Sequence, residues 1–406
     1  MKRIVYEEMK KIFMRPIIPI TFVFFVLISI YLTCFVSGGR SYFYDADRDA
    51  LVEISSPSEI IGLKKEYASN LKGTITNELV ESFYKEYQDI INDINSYGEN
   101  RDLQAEKDRR YELLGEGFSE DEIDKIDEGE PIYDLNPYIK YNELWKFQPI
   151  KHLFILYESD NKYEYVLTKK LLANGTLFDW CGGYVNAISR ANNTLTILIG
   201  ILIVLGTSTI FSEELQYNLR GIIFTTKFGK GNLIFGKIVS SIIYTAIVVS
   251  VSFGVDLLIS EIVFGLGNGN VYIQMSEEFM GYNLLFTHSK LLWMEWICIF
   301  IGAIYLNMIV LFVSSICNND FVAIFISTIL YLMLNIGTLL LNVEEHIWKL
   351  FLPTTLMHPL QYFEYNQSVL PAIFMSVIII VILLVITIKI YTKVPNRKFS
   401  FIWKSK

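Results

Sequence analysis

The sequence predicts an α-helical integral membrane protein. It has six transmembrane helices, both termini in the cytoplasm, and a large, mainly helical extracellular domain between helices 1 and 2. Three observations carry this. Hydrophobic residues make up 52% of the 406, and the mean hydropathy is +0.36. The apolar residues gather in six runs, 16–37, 192–212, 233–260, 291–315, 321–342 and 371–391. Each is close to the roughly 20 residues a helix needs to cross a bilayer. The runs are continuous and do not alternate, so they read as helices and not barrel strands.

The third observation is charge. Residues 38–191 hold 30 acidic and 18 basic residues, a net of −12; with −8 overall, the rest of the chain is +4. Its basic residues cluster before the first run (Lys2, Arg3, Lys10, Lys11, Arg15), around 220–237 (Arg220, Lys227, Lys230, Lys237) and at the end (Lys389, Lys393, Arg397, Lys398, Lys404, Lys406). Six spans with both termini inside put all three clusters in the cytoplasm, as the positive-inside rule requires.

In chain order, residues 1–15 are amphipathic. Ile4, Val5, Met9, Ile12 and Phe13 recur at helical spacing opposite Lys and Arg, the pattern of a helix lying in the membrane interface. Pro16 and Pro19 turn the chain into the first span, 16–37. That span reads as retained, because it is long and its bulky end makes a poor cleavage site.

In 38–191, Asp45, Asp47 and Asp49 have the first spacings of a calcium loop. Ala50 stands where that loop needs Gly and Ser56 where it needs Glu, so a solvated acidic turn is expected. Leu79, Val80, Phe83, Tyr84, Tyr87, Ile90, Ile91 and Ile94 form one apolar helical stripe, with Thr76 as its N-cap. Ser119 and Glu122 form a capping box. Dense charge from 98 to 136 reads as an exposed, mobile arm. "KYEYVLTKKLL" fits a strand or a helix. Gly182 and Gly183 suggest a bend leading back to the membrane. Four cysteines, Cys34, Cys181, Cys298 and Cys317, offer no external pair for a disulfide.

The second span, 192–212, leads into the cytoplasmic loop 213–232. Gly231, Gly236 and Lys237 satisfy G-x-x-x-x-G-K, but Ile238 replaces the Ser or Thr that holds Mg²⁺, and no strand precedes. Lys237 instead opens the third span, 233–260. Asp256 lies in its outer half and is a candidate for a translocation pathway, since an acid at mid-bilayer costs about 2.5–3.5 kcal/mol and usually faces a partner or cavity. Glu295 opens the fourth span, 291–315, on the outer side. A cytoplasmic turn at 316–320 and the fifth span, 321–342, follow. The loops 261–290 and 343–370 are rich in aromatic and apolar residues and read as short helices at or dipping into the outer leaflet. The sixth span, 371–391, precedes a basic tail, 392–406. His152, His288, His346 and His358 match no zinc or hydrolase motif. Glu344, Glu345 and His346 read as a polar loop edge and not a metal site.

The order of these parts resembles the membrane subunit of type-2 ATP-binding-cassette exporters. The matching segments are "EEMKKIFMRP" (an elbow helix), "FSEELQYNLRGIIFTT" (an acidic pair and docking helix), "KFGKGNLIFGKIV" (a basic run into span three), "CNNDF" (a tight cytoplasmic turn) and "LPTTLMHPLQYF" (an outer re-entrant element). Asn218 stands where that family often has Gly, and "TTKFGKG" where it often has Pro. The resemblance covers the membrane part and says nothing about 38–191. It implies that Leu215, Leu219, Ile222, Ile223 and Phe224 dock on a separate ATPase, with Glu213, Glu214 and Arg220 pairing charges at the ends. The elbow residues would be Met9, Ile12 and Phe13. It implies no catalytic residue, metal or cofactor on this chain. ATP and Mg would be held by partner ATPase subunits, and a second permease copy or a paralogue would complete the pathway.

The acidic outer domain suits a cationic, amphipathic cargo, such as an antimicrobial or toxin peptide or a drug. Usage rich in Ile, Lys, Asn and Tyr suits an AT-rich bacterial genome, so the expected place is the bacterial plasma membrane, with lipid and no nucleic acid as partner. The rival reading is a non-transporting sensor of antibiotics or peptides that signals to a cytoplasmic partner.

Overall fold

The computed structural model describes residues 2–36, 41–45, 50–54, 56–99, 147, 149–158, 162–217, 219–225, 231–282, 284–340, 352–360, 362 and 369–393. They form two compact units, Met1–Val36 with Cys181–Asn270 and Gly281–Lys406, and Ser37–Trp180 with Val271–Met280.

The first unit is helical. Its helices are α1 (Lys2–Phe13), α2 (Ile17–Tyr31), α7 (Gly182–Arg190), α8 (Thr196–Thr207), α9 (Ser212–Gln216), α10 (Arg220–Thr225), α11 (Asn232–Phe264), α12 (His288–Ile316), α13 (Asp320–Leu340), α14 (Pro353–Met357) and α15 (Leu370–Lys393). Five helical runs are long and apolar enough to cross a membrane: Ile17–Cys34, Gly182–Gln216, Asn232–Phe264, His288–Ile316 and Leu370–Thr392. This agrees with an α-helical, multi-pass membrane protein. The expected fifth span is the shorter apolar stretch Asp320–Ile336 of α13.

Side-chain distribution follows from apolar surroundings. Ile199, Leu202, Ile203, Tyr244, Val249, Ile299, Ala303, Leu306 and Tyr331 build the interior. Val23, Phe24 and Leu27 of α2, Phe321, Phe325 and Met333 of α13, and Phe374 and Val381 of α15 are exposed. A helix apolar all round is stable only where its outer face meets protein or lipid. Close approach is set by small residues: a Cβ on Gly206 would fall 2.4 Å from the Tyr244 ring.

The second expected span begins earlier than hydropathy suggested. Its helix starts at Gly182, so Gly182 and Gly183 open a helix where a bend was expected, and Cys181 belongs to this unit. Residues 182–192 carry Asn186, Arg190 and Asn192, which lowered the apolar signal; all three are held by partners inside the unit, as shown below for Arg190 and Asn192. A π-helical turn, Ala191–Leu195, joins α7 to α8.

The second unit comprises β1 (Ser41–Asp45), β2 (Ala50–Ile54), α3 (Pro57–Asn70), β3 (Gly73–Ile75), α4 (Asn77–Glu99), α5 (Lys151–Glu158), α6 (Lys162–Ala173) and β4 (Thr176–Phe178). β1 pairs antiparallel with β2 (Ser41 opposite Ile54), and β3 with β4 (Gly73 opposite Phe178). The ambiguous "KYEYVLTKKLL" is α6. Thr76 caps α4, its Oγ1 accepting from Leu79 N at 3.3 Å. The α4 stripe packs its rings on α5 and its approach: Phe83 on Phe147, Tyr84 and Tyr87 on Phe154, with centroids 5.2–6.0 Å apart. Val271, Ile273, Met275 and Phe279 are buried with this unit, so part of the loop expected at the outer leaflet belongs to the domain core. Asp47, Asp49, residues 100–136 of the expected arm with Ser119 and Glu122, and Glu344–His346 lie outside the described residues.

Candidate functional site

The acidic pair of "FSEELQY" sits in a charged joint built from parts far apart in sequence. Helix α1 brings Ile4, Glu8 and Ile12, spaced by four, onto one face. Ile12 is 2% exposed and Glu8 7%. Ile4 lies so close to α11 that a Cβ on Gly236 would meet its Cγ2 at 2.7 Å. Lys237, in the second turn of α11, is 2% exposed. Its Nζ lies 3.0 Å from Glu214 Oε1 and 3.7 Å from Glu8 Oε2, and donates to Ile210 O at 2.5 Å. Tyr391 of α15 donates its hydroxyl to Glu214 Oε2. Lys11 holds Glu8 from the other side at 2.8 Å.

Neighbouring groups fix the same segment. Arg15, between α1 and α2, lies 3.4 Å from Glu213 Oε2 and donates to Gly206 O at 3.0 Å. Phe211 N and Ser212 N donate to Ser314 Oγ of α12, and Ser212 Oγ donates to Asp320 Oδ1 of α13 at 2.5 Å. The chain around Glu213 and Glu214 is thus tied to α1, α11, α12, α13 and α15. Buried charges persist only when paired and hydrogen-bonded, and here each one is.

This corrects two expectations. Glu214 faces inward onto Lys237 and is not spare for a second protein, whereas Glu213 meets Arg15 with 46% of its side chain exposed. The docking segment is also not one helix. α9 and α10 are separate, with Leu219 N donating to Glu214 O at 3.0 Å between them; Asn218, Lys227, Lys230 and Gly229 lie outside the described residues. Beyond the break, Tyr217 (62%), Leu219 (43%) and Ile222 (67%) are exposed. Leu215 and Ile223 are half-buried. Phe224 is half-buried against the Tyr391 ring at 5.9 Å. Arg220 begins α10. Of the expected elbow residues, Ile12 is buried, Met9 half-buried, and Phe13 meets the Tyr244 ring edge-on at 5.3 Å.

The "GNLIFGK" segment forms the first turns of α11, and its lysine is consumed by carboxylates. Asp256 is 2% exposed and pairs with Arg190 at 2.9 Å, while Arg190 also donates to Ser29 O at 2.7 Å. The pair therefore joins α7, α2 and α11.

Sequence reasoning missed Glu8, Arg15, Arg190, Lys237 and Tyr391 as members of these clusters. One signal was present: Glu8 interrupts the apolar stripe Ile4–Ile12, where an acid is out of place unless it has a partner.

In the second unit, His152 is buried and bonded to the backbone of Gln274 and Met275; burial pushes its imidazole down to about 4. Among the described residues, no three His, Cys, Asp or Glu side chains gather as metal ligands.

No protein-family model, curated protein or solved structure matches this chain.

Proposed function

We propose that this chain is the permease subunit of a type-2 ATP-binding-cassette exporter, which couples ATP hydrolysis on separate ATPase subunits to export of an amphipathic substrate. The supporting observation is the charged joint. A short segment with three exposed apolar residues, Tyr217, Leu219 and Ile222, issues from a base tied to five other helices of the unit. A push on such a segment is passed to the helices, because buried ion pairs and packed cores do not deform continuously. On this reading the joint is cytoplasmic, the second unit is extracellular, and ATP and Mg stay on the partners. A second permease copy or a paralogue completes the path in a bacterial plasma membrane.

The test is Leu219→Asp with Ile222→Asp in the complex purified with its co-expressed ATPase. We expect the ATPase to hydrolyse ATP while transport is lost. Unchanged transport sinks the reading, as does purification with a histidine kinase as sole partner, which is the sensor's signature.

A further inference from the structure

Among its described residues the helical unit buries four carboxylates, Glu8, Glu214, Asp256 and Glu295. Three face a cation, Glu8 and Glu214 on Lys237 and Asp256 on Arg190. Glu295 of α12 is 0% exposed and faces an amide instead: Asn192 Nδ2 donates to its Oε1, and its Oε2 has no partner. An ionised carboxylate only accepts hydrogen bonds, and a buried one without a cation is costly.

The surroundings are built, not accidental. The π-helical turn places Asn192 between Glu295 and residues 358–360. Leu360 N donates to Asn192 Oδ1 at 3.2 Å, and His358 Nδ1 donates to Asn192 O. His358 Nε2 lies 3.3 Å from Thr196 Oγ1. Tyr362, 1% exposed, has an unpartnered hydroxyl. Such π turns recur at functional sites. Cys298, one turn beyond Glu295 on α12, lies within electrostatic range of both the Glu295 carboxyl and Tyr362.

We propose that Glu295 is the anchor for a cationic amine group of the cargo, with Asn192 as its polar neighbour. The proposal rests on the exporter reading and names its substrate class. Asn192 bonds both Glu295 and residues 358 and 360, so displacing residues 353–360 breaks the His358 and Leu360 bonds and frees Asn192 to leave Glu295 to an ammonium group.

The experiment uses the full chain in membranes with Cys34, Cys181 and Cys317 replaced by Ser. N-ethylmaleimide alkylates Cys298 when the site opens, and octylammonium is the probe, with octan-1-ol as its uncharged match. We expect octylammonium to slow alkylation about tenfold more than octan-1-ol, the effect of about 1.4 kcal/mol of binding. Glu295→Gln should reduce its protection to that of the alcohol, and Glu295→Asp should keep most of it. Equal protection by amine and alcohol in the Glu295 chain overturns the proposal without any variant, and identifies a proton as the carboxyl's only companion. Full protection in Glu295→Gln overturns it too, as does a Cys298 that never reacts. The assay needs no ATPase. Its failure therefore leaves the exporter reading standing, and failure of the Leu219/Ile222 test leaves amine binding at Glu295 but removes its assignment to a cargo.

Discussion

Lys237→Met is the sharpest perturbation of the charged joint. The ammonium of Lys237 lies 3.0 Å from Glu214 and 3.7 Å from Glu8. At an effective dielectric of about 20, the gross attractions are roughly 5.5 and 4.5 kcal/mol. Desolvation of a lysine that is 2% exposed offsets much of that. Removing the cation alone does not recover the desolvation of the acids. Glu8 keeps Lys11 in direct contact, whereas Glu214 keeps the Tyr391 hydroxyl as its bonded partner and Lys11 only at longer range. Leaving one partner of a buried pair uncompensated costs about 3–5 kcal/mol. Lys237→Met should therefore fall by that amount in a denaturation assay on the detergent-solubilised chain. Glu214→Gln with Lys237→Met should recover at least half of it, because two neutral groups replace an orphaned charge. A coupling below about 0.5 kcal/mol in the double-mutant cycle, the level of independent sites, would refute the joint as an energetic unit. A phosphate-binding Lys237 would instead be dispensable for folding.

Other expectations follow from the same geometry. Asp256→Asn should destabilise by about 3–5 kcal/mol through the buried guanidinium of Arg190, and Arg190→Met with Asp256→Leu should recover most of it; a mild Asp256→Asn that alters only transport would favour the pathway reading. Gly206→Ala drives a methyl into the Tyr244 ring, whose hydroxyl donates to Leu202 O at 2.8 Å, and should lower stability by about 1–3 kcal/mol, visible as an earlier thermal transition. His152 titrates near 4 when folded and 6.5 when unfolded. The unfolded chain therefore binds more protons between those values, and stability is full above 6.5 and lost toward 4, by roughly 3 kcal/mol. The melting temperature across that window should fall with pH in the native chain and stay flatter in His152→Gln; equal slopes would remove His152 as the cause.

The helices were legible because each apolar run long enough to cross a bilayer leaves the backbone one way to satisfy itself. Thr76 and the α4 stripe were legible for a related reason, since caps and periodicity are local. The clusters were not. Arg190 and Asp256 are 66 positions apart, and Glu8 and Lys237 are 229 apart; no local rule joins such residues. Arg190 and Asn192 even misled, because their polarity shortened the second span as read from hydropathy. The Val271–Met280 segment was missed likewise, its apolar residues fitting a lipid leaflet as well as a domain core.

The placement of the two ion-paired clusters along α11 carries a further consequence. Lys237 and Asp256 are 19 residues apart, so at 1.5 Å per residue they stand about 28 Å apart on the helix. That is close to the roughly 30 Å of bilayer hydrocarbon. The stretch between them, Ile238–Val255, holds no charged residue. Charges that mark both edges of an apolar stretch are placed where lipid gives way to polar surroundings, and insertion costs are smallest there. Each edge is also where α11 is bonded to other helices, to α1 and α9 at one end and to α7 at the other, and those partners are bonded in turn to Tyr391 of α15 and Ser29 of α2. Displacing one end therefore obliges the other to move or to break a buried pair at several kcal/mol. If α11 acts as such a rod, Lys237→Met should change how fast Cys298 is alkylated at the far end of the unit. A Cys298 rate unmoved by Lys237→Met, in a chain still folded, would show that the two ends act separately.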